Sequence, residues 1–154
     1  GQNLLNVVVN SEIPMGHSND AIDIQKWKEL AVETLQAEGI NSGELNVIFV
    51  EAKRIQELNN TYLGKNEPTD VLAFPIDSQK LTTGETPTLL GDVVICPAKA
   101  KENASAQKKN HDEEIALLVL HGILHILGYD HAYPEEKAVM KNREQELLSK
   151  LYKS

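Results

Sequence analysis

Between Ile115 and Leu127 every position is apolar except His121, Gly122 and His125. Asn110 can cap a helix there, and Asp112, Glu113 and Glu114 in its first turn complement the positive end of the helix dipole. The run therefore reads as a helix from Asn110 to Leu127. Its apolar side chains cover every side, which is the pattern of a central helix packed all round. The rest of the chain has to supply the elements that cover it.

Leu4 to Val9 reads as a strand, broken by Asn10, Pro14 and Gly16. From Asp20 to Glu38 the apolar residues Ile24, Trp27, Leu30, Ala31 and Leu35 recur at helical spacing. Asn19 or Asp20 can cap the start of this helix and Gly39 suits its end. Leu45 to Val50 suits a buried strand, and Ile55, Leu58 and Tyr62 mark a short helix closed by Gly64. Val71 to Phe74 reads as a third strand stopped by Pro75, and Leu89 to Cys96 as a fourth stopped by Pro97, with a polar loop between them. After Pro97 comes a polar helix ending near Asn110, and Pro134 opens a last helix with Met140, Leu147, Leu148 and Leu151 as its stripe. The expected fold is α+β: a small, mixed four-stranded sheet packed against helices, with the His121 helix central.

Of the 154 residues 41% are hydrophobic, enough for one core, and no repeat or long linker divides the chain, so residues 1–154 are expected to form one domain. No run of roughly 18 to 20 apolar residues suggests a membrane span, no leader opens the chain, and Gly1 stands where Met would be expected. The one cysteine, Cys96, rules out an internal disulfide and fits a reducing compartment, so the expected location is cytoplasmic. Cys96 reads as a buried apolar residue rather than a nucleophile. The net charge of -8 excludes a general attraction to phosphate, so contact with nucleic acid must rest on local cations. The candidates are Lys53 with Arg54, Lys65, and the group Lys99, Lys101, Lys108 and Lys109.

His121 and His125 are four residues apart, so their imidazoles lie on one helix face one turn apart. Gly128 can end the helix in a left-handed conformation, and the turn Gly128-Tyr129-Asp130 can carry His131 back toward the pair. Three neutral histidines can hold one Zn²⁺ while leaving a fourth position for water or substrate, the arrangement of a catalytic site. A lone histidine in an apolar helix is more often a hydrogen-bonded core residue. Two partnerless imidazoles on one buried face would cost about 1 to 3 kcal/mol each, and a metal satisfies both. His17 and His111 lack such spacing and read as surface residues. The histidine and glycine spacing matches the metzincin protease motif, but Gly122 stands where such a protease places its general-base Glu, which counts against a peptidase.

The string His121-Gly122-Ile123-Leu124-His125-Ile126-Leu127-Gly128-Tyr129-Asp130-His131 closely resembles the signature of the YbeY family of bacterial rRNA-maturation endoribonucleases. The stretches Leu58 to Pro75 and Leu90 to Cys96 resemble two further family blocks. The resemblance implies one zinc on His121, His125 and His131, cleavage of single-stranded RNA, and a role in 16S rRNA 3′-end maturation and ribosome quality control. The implied partners are an rRNA precursor and the small ribosomal subunit or its assembly proteins, with neither DNA nor a membrane among them. The chain departs from the family at Leu63, where an arginine usually follows the tyrosine.

Lys65 is the nearest remaining cation to that position and is expected to offset charge at a phosphodiester. Leu63 itself either marks a lost phosphate anchor or belongs to the apolar face of the helix ending at Gly64. Asp70 and Asp130 are candidates for orienting the histidines or accepting a proton, with a turn-capping role as the alternative for each. Two other functions fit the same residues. One is a ribosome-assembly binding factor with a structural metal, and the other is a metal-dependent hydrolase of a different substrate. RNA cleavage by metal-free and metal-restored protein separates all three.

Overall fold

The computed structural model describes residues 4–14, 22–76 and 89–152. In these, four strands and five helices follow the order β1 (Leu4–Ser11), α1 (Ile24–Ala37), β2 (Ser42–Phe49), α2 (Ala52–Leu63), β3 (Val71–Pro75), β4 (Leu89–Ile95), α3 (Pro97–Ala106), α4 (His111–Ile126) and α5 (Pro134–Leu151). The fold is α+β with a mixed sheet, as expected. Strand order is β1-β2-β4-β3; β1, β2 and β4 run parallel and β3 runs antiparallel to β4.

Alternation along the strands sorts the two sheet faces. Val7, Val9, Leu45, Val47, Phe49, Val93 and Ile95 point into the main core with α1 and α4. On the opposite face, Val50, Leu72 and Val94 form a smaller cluster with Ile55 of α2 and the buried Cys96. Helix α4 packs against α1, α3, α5, β3 and β4, so it is central. It is not covered all round, however: Leu117, His121 and His125 are only half-buried and form one open stripe.

Several boundaries differ from the sequence reading for identifiable reasons. Helix α1 starts at Ile24 because Asp23 caps it, its carboxylate accepting from Lys26 N at 3.1 Å. The earlier candidates Asn19 and Asp20 lie outside the described residues, as do His17 and most of the polar segment between β3 and β4. β3 ends at Pro75, as expected, with Pro75 as its last member: it pairs with Gly91, and β3 is an edge strand, where a missing N–H costs no ladder bond. His111 is half-buried rather than a plain surface residue, its Nε2 lying 3.2 Å from the carbonyl oxygen of Pro97.

The contact between α4 and β4 explains the glycine in the histidine string. A Cβ at Gly122 would stand 2.5 Å from Val93 Cγ1, so the helix can lie this close to the sheet only without a side chain there. A glutamate at this position would point into the core, which is the structural reason the protease general base is missing.

Candidate metal centre and its cleft

His121 and His125 sit on the last two turns of α4, and His131 follows in the loop before α5. Leu127 caps the helix and Gly128 takes φ +107°, a region that favours glycine. Gly128 N donates to His125 O at 3.1 Å and Tyr129 N to Leu124 O at 3.0 Å, the two bonds of a Schellman motif. The chain thereby reverses and brings His131 back over the helix. Its ring centroid lies 6.0 Å from His121 and 5.9 Å from His125, with interplanar angles of 21° and 24°.

Two side chains outside the string fix this turn. The Tyr129 hydroxyl donates to Glu38 Oε1 at 2.6 Å, and Arg143 donates from Nε to Glu38 Oε2 at 2.8 Å. Glu38 ends α1 and Arg143 lies on α5, so three elements converge on the residue two before His131. The hydrogen bond to Glu38 raises the Tyr129 pKa, and the same carboxylate raises that of Arg143, keeping both protonated.

The residue that touches a ligand candidate most directly is Glu144. Its Oε2 accepts from Nδ1 of His121 at 2.6 Å, and it is 8% exposed. That bond holds the proton on Nδ1 and leaves the Nε2 lone pair for a ligand, as carboxylate partners of metal-bound histidines do. The Nδ1 of His125 is buried without any hydrogen-bond partner, alone in this among the described side chains. A buried polar atom left unpaired costs about 1 to 3 kcal/mol.

These features fit a divalent metal at the three histidines. As the side chains stand, no three His, Cys, Asp or Glu groups among the described residues clasp a common point. Two imidazoles sharing one zinc would place their centroids roughly 5 Å apart, given Zn–N distances of about 2.0–2.1 Å. The observed separations exceed this by about 1 Å, and His131, which is exposed, can rotate to close the gap.

Apart from Lys109, the other sequence candidates do not line the cleft beside His121 and His131. Asp70 is half-buried and its Oδ2 accepts from Asn103 Nδ2 at 3.0 Å, tying β3 to α3. Asp130 is exposed and accepts from His131 N at 2.7 Å, a local turn bond. Lys65 is exposed and does not line the histidine cleft, and Leu63 is 57% exposed rather than part of an apolar face. Arg54 is engaged by Glu12 and Glu57, and Lys99 by Glu102.

The cleft itself, about 450 Å³, lies between α4 and α5 and is lined by Glu114, Leu117, His121, His131, Met140 and Glu144, with Lys109, Lys137 and Lys141 around it. Burial raises the pKa of Glu114, against the opposing pull of Lys109. Sequence reasoning missed Glu144, Lys137 and Lys141. The readable signal for Glu144 was a carboxylate set into the apolar stripe formed by Met140 and Leu147.

Comparison with known proteins agrees with this architecture. A family model described as endoribonuclease YbeY matches residues 13–152. Endoribonuclease YbeY of Bacillus cytotoxicus is 38% identical over 127 residues, covering 79% of this chain and 81% of the relative. Endoribonuclease YbeY of Salinispora tropica is 38% identical over 137 residues, covering 83% and 87%. The solution structure of a Thermotoga maritima protein aligns with TM-score 0.57 and 28% identity, covering 94% of this chain and 90% of that one.

Proposed function

This chain belongs to the endoribonuclease YbeY family, and on that footing we propose that it is a zinc-dependent endoribonuclease acting on single-stranded RNA. In this reading it works in the cytoplasm on an rRNA precursor, in 16S rRNA 3′-end maturation and ribosome quality control. The small ribosomal subunit or its assembly proteins are its partners. The observation that carries the reading is the hydrogen bond from His121 to Glu144, which prepares one imidazole of the trio to accept a cation.

His121, His125 and His131 would hold one metal per chain. When bound, zinc supplies a Lewis acid at a phosphodiester oxygen and an acidified water. The chain's own residues do the rest. Glu144 keeps His121 in one tautomer. The Tyr129–Glu38–Arg143 bridge holds the His131 turn in place, so that only the His131 side chain has to move to complete the site. Gly122 leaves no carboxylate to act as a protease base, which favours a phosphodiester over a peptide bond.

The test combines metal analysis with cleavage. The purified protein should contain about one zinc, and the folded His125→Ala variant should lose most of it. Chelation should abolish cleavage of single-stranded RNA and zinc should restore it. A His125→Ala protein that keeps full metal content overturns the ligand assignment. Cleavage that persists after complete metal removal overturns the metal dependence.

A further inference from the structure

We infer that the α4–α5 cleft carries the backbone of a single-stranded RNA across the histidines, with Lys137 and Lys141 on one side of the scissile phosphate and Lys109 on the other. This rests on the nuclease reading and adds to it the residues that bind the substrate. A chain of net charge -8 has no general attraction for a polyanion, so affinity for phosphate must come from cations concentrated at one place. Three exposed lysines line the histidine cleft, and none forms an ion pair with a described residue. By contrast, Lys26, Arg54, Lys99 and Arg143 are each neutralised by a carboxylate.

The topology places the three lysines at opposite ends of the cleft. Lys109 lies between α3 and α4, beside the first turns of α4, whereas Lys137 and Lys141 lie on the first turns of α5, just after His131. Lys137 and Lys141 are one helical turn apart, so their stems start about 5–6 Å from each other, the scale of one nucleotide step. Met140 and Glu144 share their face of α5 and also line the cleft, which fixes the direction in which the lysines project. The two carboxylates of the cleft are recessed beneath them: Glu144 is 8% exposed and engaged by His121, and Glu114 is 6% exposed.

The experiment measures binding of a short labelled single-stranded RNA across a salt titration, with cleavage followed in parallel. The Lys137→Gln/Lys141→Gln double variant should bind at least about tenfold more weakly at low salt, and its log–log salt slope should shrink by about 1.4, two contacts at about 0.7 each. A Lys28→Gln/Lys150→Gln variant has the same net charge but changes exposed residues outside the cleft, and it should keep the parental slope. The Lys137→Arg/Lys141→Arg variant should retain binding, which separates lost charge from lost structure. A double glutamine variant with the parental slope, or a control pair that loses as much as the cleft pair, overturns the inference and leaves the nuclease reading intact. A parent protein that neither binds nor cuts single-stranded RNA overturns both.

Discussion

Glu144 Oε2 lies 2.6 Å from His121 Nδ1 although the residues are 23 positions apart and on different helices. A carboxylate that is 8% exposed is costly to desolvate and persists because a donor meets it. Partners of this kind typically change metal affinity or activity by about 10- to 100-fold when removed. Glu144→Ala should therefore weaken zinc binding within that range in a competition with a chromophoric chelator. Glu144→Gln, whose amide oxygen can still accept from Nδ1, should lose less. Zinc affinity unchanged in both variants would show that the contact does not set the ligand's tautomer.

Gly122 yields a prediction about packing. A Cβ there would stand 2.5 Å from Val93 Cγ1, inside the contact between α4 and β4. Alanine is the better helix former by about 0.8–1.0 kcal/mol, but overpacking a filled core costs about 1–3 kcal/mol, and overpacking should win. Gly122→Ala should lower stability in urea unfolding, and Gly122→Glu should lower it further without creating peptidase activity. A Gly122→Ala protein more stable than its parent would mean that Val93 gives way freely.

Leu63 separates two readings of one departure from the family pattern. Its side chain is 57% exposed at the end of α2, so an arginine there meets water rather than the core. Leu63→Arg should melt within the range of surface substitutions, about 0.5 kcal/mol either way. A marked drop in melting temperature would show that Leu63 is packed after all.

The parts of the site legible in the sequence were those encoded by local spacing. His121 and His125 one turn apart, Gly128 as a helix terminator and Asn110 as a cap depend on neighbours within a few residues. Glu144 depends on how α5 lies against α4: its place in the stripe of Met140 and Leu147 separates it from the exposed Glu146, but only the packing shows which donor it meets. Lys137 and Lys141 carry no local mark, because exposed lysines on a helix look alike until the packing shows which of them border a cleft. Pro75 was legible as the end of β3, but not that β3 is an edge strand, because sheet order is a property that strand sequences alone do not carry. Lys65 drew weight from its neighbour Leu63, and only the fold shows that it does not line the cleft.

Glu114 provides a signature in pH. It is 6% exposed and lines the cleft, and burial raises its pKa from the ordinary value near 4.5. Asp70 and Glu113 push in the same direction, while Lys109 and His111 oppose them. The folded state therefore holds this proton more tightly than the unfolded chain does. By linkage, the stability it contributes is fully present below about pH 4.5 and is lost as pH rises through the folded pKa. Glu114→Gln has no carboxyl to ionise, so it should not suffer this loss. Melting curves of metal-free parent and variant should show their difference shifting in the variant's favour as pH rises above that value, then levelling off. A difference that stays constant from pH 4 to pH 8 would mean that the Glu114 carboxyl titrates alike in the folded and unfolded chains.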